Sequence, residues 1–83
     1  MAADTIREFV RHPYIDPARK TGAAQVTVRA GDVHRDMHLV DAMPAVCGAI
    51  GARKFETRCA VKLVNRVGPT NGANVYFTFE ILP

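Results

Sequence analysis

The chain has no serine and no tryptophan, and only two cysteines, Cys47 and Cys59. Without serine there is no Gly-x-Ser-x-Gly nucleophile elbow. Two cysteines fall short of the four to eight that staple a small secreted scaffold, so both are read as reduced, buried thiols. Cys47 lies on an apolar helical stripe, where a neutral thiol is inert. Gly48-Ala49-Ile50-Gly51 lacks the Lys-Ser/Thr that completes a phosphate loop. No run of about 18 apolar residues occurs, so no membrane partner is expected. The first ten residues carry Asp4, Arg7 and Glu8, unlike a secretory leader, so a cytoplasmic location is expected. The 83 residues make one domain, 1–83, in which only about 60–65% of the unfolded surface can be buried, leaving little room for a deep pocket. The expectation is a non-catalytic module without a cofactor.

What the chain does have is an uneven charge. Residues 1–52 hold as many acids as bases, whereas 53–83 hold five bases and two acids, so the whole net charge of +3 sits in the C-terminal part. All five of those bases, Arg53, Lys54, Arg58, Lys62 and Arg66, fall between 53 and 66. A basic stretch draws polyanions, of which nucleic acid is the commonest.

Local patterning gives the elements. Thr5-Ile6-Arg7-Glu8 reads as a capping box that opens a first helix. Pro13 is expected to stop or kink it at His12. Asp16-Pro17 then reads as a cap and first position of a short further turn. Gln25 to Arg29 alternates polar and β-branched residues, which predicts a strand with Val26 and Val28 inward. A second helix is predicted over 31–38, with Val33 and Met37 inward. A third is predicted over 42–52, with Asp41 as its cap, Pro44 in its first turn and Met43, Val46, Cys47 and Ile50 as its buried stripe. Phe55 gives one more apolar anchor within the polar stretch ARKFETR, which is expected to add a further helical turn. From Val61 the period becomes two, and two strands flank Gly68-Pro69-Thr70-Asn71-Gly72, which predicts an antiparallel hairpin.

The order is thus helix-strand-helix-helix-strand-strand, and it resembles the winged-helix family of helix-turn-helix domains from about Thr5 to Leu82. The stretch RAGDVHRDMHLVDAMPAVCGAIGARKF is also similar to small prokaryotic proteins without an assigned role, a likeness that gives no function. The winged-helix resemblance implies an α+β fold in which Gln25–Arg29 joins the hairpin in a small three-stranded antiparallel sheet. It also implies a module that binds double-stranded DNA, of the kind used in transcription regulation. Helix 42–52 would approach the major groove and the loop 68–74 would be the tip of the wing.

On that geometry the outer face of 42–52 is Ala42, Ala45, Gly48, Ala49 and Ala52, with Arg53 at its end. Ala45 and Ala49 would lie near base edges, where alanine can touch a thymine methyl but specifies little. Recognition would then rest on phosphate contacts from Arg53, Lys54, Arg58, Lys62 and Arg66, joined by Arg35 from the preceding helix and by Asn71 in the wing. The alternative is a protein-interaction or adaptor module, or a homodimer, that uses the same Ala/Gly face for close helix packing. His34 and His38 are four apart and would share a helix face. With Arg35 where a metalloprotease motif needs Glu, no metal site is expected there.

Overall fold

The N-terminal segment is one unbroken helical run, not two helices parted by a proline. The computed structural model describes residues 3–83. Helix α1 (Ala3–Val10) passes through a π-helical turn (Arg11–Ile15) into α2 (Asp16–Lys20). Val10, Ile15 and Asp16 all keep right-handed helical angles. Pro13 cannot donate an N–H, and its ring would collide with the carbonyl four residues earlier. Widening the ladder by one residue relieves both problems without ending the helix. Asp16 therefore lies inside the run and does not cap it. Thr5 is no cap either, because the chain is already helical at Ala3, and the Glu8 carboxylate pairs with Arg11 at 2.7 Å. Ile6, Val10 and Ile15 are the buried residues that this run sends into the core.

Strands β1 (Gln25–Arg29), β2 (Val61–Val67) and β3 (Tyr76–Ile81) form an antiparallel sheet in the order β1-β3-β2. The fold is α+β, and the first strand joins the C-terminal hairpin as expected. Val26 and Val28 stand opposite Phe79 and Phe77 on the inner face. Simple alternation fails in β2. A bulge between Leu63 and Asn65 leaves Val64 without a partner in the register. The extra residue exchanges the faces of everything after it. Leu63 pairs with Phe79 and Arg66 with Phe77, so Arg66 stands on the helix side of the sheet and Val67 on the outer side with Tyr76.

Between β1 and β2 come α3 (Ala30–Asp36), α4 (Met43–Ile50) and α5 (Arg53–Cys59). Helix α3 ends two residues before the predicted boundary, and His38 and Asp41 take left-handed angles, φ 56° and 49°. Asp41 is accordingly not a cap; the residue before α4 is Ala42, with no side-chain cap bond, and Pro44 occupies the first turn. His34 Nε2 accepts the Ala42 N–H at 3.2 Å, which fixes the α3–α4 turn. The 53–59 segment is a helix in its own right, not one added turn, and it closes at Ala60 with φ 53°. Three phenylalanines join helices to sheet: the ring centroids of Phe55 and Phe79 are 5.0 Å apart and those of Phe77 and Phe79 are 6.4 Å apart.

The 68–74 loop folds back onto the body. Ala30 N–H donates to Val75 O and Gly31 N–H to Ala73 O, both at 2.9 Å, and Arg29 Nη2 donates to Asn74 Oδ1 at 2.9 Å. Gly68 makes this return possible with φ 110°, and a Cβ there would collide with the Asn74 carbonyl. Gly22 has φ 77° with open space around it. Gly22→Ala is therefore expected to cost the backbone term alone, about 1–2 kcal/mol. Gly68→Ala should cost clearly more, because collision is added to the backbone term. Urea unfolding of the two variants compares them directly; equal losses would mean that the loop yields freely.

Candidate nucleic-acid interface

The uncovered side of α4 is narrower than the helical wheel predicts. Pro44, Ala45, Gly48 and Gly51 are exposed, and Ala42 and Ala52 are half-buried. Ala49, expected to face a partner, is only 2% exposed. The reason is α1, which packs along α4 and sends Arg7 across it. Arg7 Nε donates to the Ala49 carbonyl at 3.0 Å and Arg7 Nη1 to Asp4 Oδ1 at 2.8 Å. Arg7 is itself buried, and a buried guanidinium persists only when its donors are used this way. Ala49 thus belongs to the α1–α4 contact, and Ala45 remains on the accessible face.

The cations gather on α5. At 100° per residue, Arg53, Lys54, Thr57 and Arg58 share one arc of this helix, and all are exposed, while Phe55 and Cys59 point inward. Arg53, Lys54, Thr57 and Arg58 line a shallow groove against Asp4 at the start of α1. A second groove shares Arg53 and Thr57 and extends to Lys62. Among the described residues, Arg53, Lys54 and Lys62 have no carboxylate within salt-bridge range, whereas Arg58 stands 3.5 Å from both Asp4 and Glu8. The hydrogen bond from Arg7, with Arg58 and Lys54 nearby, holds the Asp4 carboxyl below its ordinary range.

Arg66 stands apart from these four. The β2 bulge turns it to the helix side of the sheet, where it stays exposed, with its guanidinium 4.8 Å from the Phe77 ring centroid and donating to the Thr70 carbonyl. A Cβ on Gly51 would lie 3.2 Å from Arg66 Nη1, which places this cation at the C-terminal end of α4. The five bases therefore divide into four around α5 and one between the end of α4 and the loop. Arg35 is exposed on α3 but bound to its own acids, Asp36 at 3.1 Å and Asp32 at 3.5 Å. Asn71 is exposed in the loop.

Two basic residues beside this surface escape a sequence reading. Arg19, at the end of α2, donates through Nη2 to the carbonyls of Cys59 and Ala60 at 2.9 and 2.8 Å. It thereby satisfies the C-terminus of α5 and brings Lys20 to the same end of the molecule. Only the Arg19-Lys20 pair hints at this, since the bond spans 40 residues. The candidate histidine pair does not form: His34 is engaged at the α3–α4 turn, and His38 lies beyond the end of α3. Among the described residues no cluster of His, Cys, Asp and Glu could hold a metal ion. Burial raises the pKa of both Cys47 and Cys59, which disfavours thiolate chemistry at either. No helix among the described residues is long and apolar enough to cross a membrane. No protein-family model matches the chain, and no curated protein or solved structure is significantly similar to it.

Proposed function

We propose that this chain is a non-catalytic module that binds duplex DNA in the manner of a winged helix. In this reading α4 meets the major groove and the cations of α5 neutralise phosphates. The observation that carries it is the sequence of surfaces on consecutive helices: the bare side of α4, then Arg53 and Lys54, exposed on α5 and, among the described residues, with no carboxylate in salt-bridge range. The β1-β3-β2 sheet, with α3, a turn and α4 following its first strand, supports the same reading, and α5 is a further helix inserted before β2.

A helix with ordinary side chains is about 10–12 Å across, close to the width of the major groove. Pro44, Ala45, Gly48 and Gly51 add little girth, so the α4 backbone can sit deep in it. They also offer no hydrogen-bonding side chain to a base edge. Binding is therefore expected to favour duplex DNA over neutral polymers while discriminating weakly between sequences.

Ala45→Glu tests the orientation. A carboxylate on this face repels phosphate and should weaken binding about tenfold or more, with the elution volume on size exclusion unchanged. A variant that dissociates an oligomer while binding DNA as before would assign the face to protein contact and overturn the proposal.

A further inference from the structure

Among the described residues, Arg58 is the one cation of the α5 arc with carboxylates in salt-bridge range, and they come from a different element. Its Nη2 lies 3.5 Å from Asp4 Oδ2 and its Nη1 lies 3.5 Å from Glu8 Oε2. Both distances are those of loose, solvent-washed pairs, longer than the 2.8 Å of Arg7 to Asp4 or the 2.7 Å of Arg11 to Glu8. Asp4 and Glu8 are each held by their own helical neighbour, so neither depends on Arg58. The Arg58 guanidinium is spread across two carboxylates, as it would be across two oxygens of one phosphate. Arg53, Lys54 and Thr57 line the same groove, and the Thr57 hydroxyl donates to the Arg53 carbonyl at 3.3 Å, a long bond that a phosphate oxygen can replace.

We propose that the groove between the start of α1 and the outer face of α5 is a phosphate-binding site, with Arg53, Lys54, Thr57 and Arg58 as its ligands. Asp4 and Glu8 occupy the Arg58 position that a phosphate takes on binding. The inference rests on the DNA-binding reading for the source of that phosphate, but the groove's chemistry can be tested without DNA. Exposed pairs of this kind are weak, so a phosphate can displace them at small cost. Arg forks suit tetrahedral oxyanions as well as carboxylates, which makes the exchange geometrically simple. Asp4, like any exposed aspartate, is ionised throughout the neutral range, so it competes at any pH where DNA binding would be measured.

Asp4→Asn is the informative variant, since the asparagine oxygen can still accept from Arg7 and leave the α1–α4 contact in place. Four proteins are compared: the parent, Asp4→Asn, Arg58→Ala and the double variant. Circular dichroism melts confirm that each is folded. In the first arm, inorganic phosphate is titrated and the Arg58 side-chain Nε–H and Thr57 amide resonances are followed. Saturable shifts are expected in the parent, at about two- to fivefold lower phosphate in Asp4→Asn, which matches the usual strength of an exposed pair. In the second arm, the affinity for a labelled 20-base-pair duplex is measured. The same gain from Asp4→Asn is expected in the parent background and its absence in Arg58→Ala.

An equal gain in both backgrounds would mean that Asp4 acts through net charge alone and would overturn the exchange. Duplex binding without any phosphate-induced shift at Arg58 or Thr57 would overturn the groove and leave the DNA reading standing. Phosphate shifts without duplex binding would support the groove as a site for a free phosphate and remove the DNA reading.

Discussion

Phe79→Ala is expected to remove about 3–5 kcal/mol of stability, the usual cost of emptying a buried phenylalanine site. Phe79 is fully buried. It stands in the middle of the central strand, opposite Val26 of β1 and Leu63 of β2, and its ring contacts both Phe55 and Phe77. A single truncation there loosens the joint between α5 and the sheet as well as both strand pairings. At about 0.05–0.15 kcal/mol per residue, a chain of 83 residues has a total stability of about 4–12 kcal/mol, so roughly a quarter of it or more would be lost. The melting temperature should fall by at least about 12 °C. Val67→Ala, on the exposed outer face of the same sheet, should cost under about 1 kcal/mol. Similar losses at the two positions would contradict the assignment of inner and outer faces, and with it the bulge.

Replacing Arg53, Lys54 and Arg58 together by Ala should weaken duplex binding on the order of a hundredfold at 0.1 M salt. Each phosphate contact on B-DNA releases about 0.9 of a counterion, which near 0.1 M salt is worth roughly eightfold in affinity. Three contacts set an upper bound of about 500-fold. Arg58 falls short of its share because it gives up Asp4 and Glu8 to bind. The loss should be the same for unrelated sequences, because phosphate contacts carry no base information. Loss on one sequence only would mean that these side chains read bases. Stability should barely change, since all three are exposed and, among the described residues, only Arg58 of the three has ion pairs.

The sequence carried the strands, the apolar stripes and the identity of the basic segment, because these are local patterns. Val26 and Val28 are inward in β1, Val46, Cys47 and Ile50 are buried in α4, and β2 and β3 pair across a glycine-bounded loop. The misplaced features depend on partners far away in the chain. Ala49 looks like a surface residue on a helical wheel and is covered because α1 packs along α4, with Arg7, 42 residues earlier, bonded to its carbonyl. Pro13 looks like a break, yet a π-helical turn absorbs it. Arg66 shares a face with Lys62 on paper, but one bulged residue, Val64, sends the two to opposite faces. The loop has the composition of a free turn and is tied to the β1–α3 junction by Arg29, Ala30 and Gly31. In each case the hydrogen-bonding demand of a distant backbone or side chain decides the local structure.

The central claim is that the four cations around α5, Arg53, Lys54, Lys62 and Arg58, act together on one DNA backbone. A salt titration of the unaltered protein with a duplex of arbitrary sequence tests it most directly. Four phosphate contacts predict that log affinity falls with log salt at a slope of about −3.6. A slope near zero, or no measurable binding at low salt, would contradict the claim.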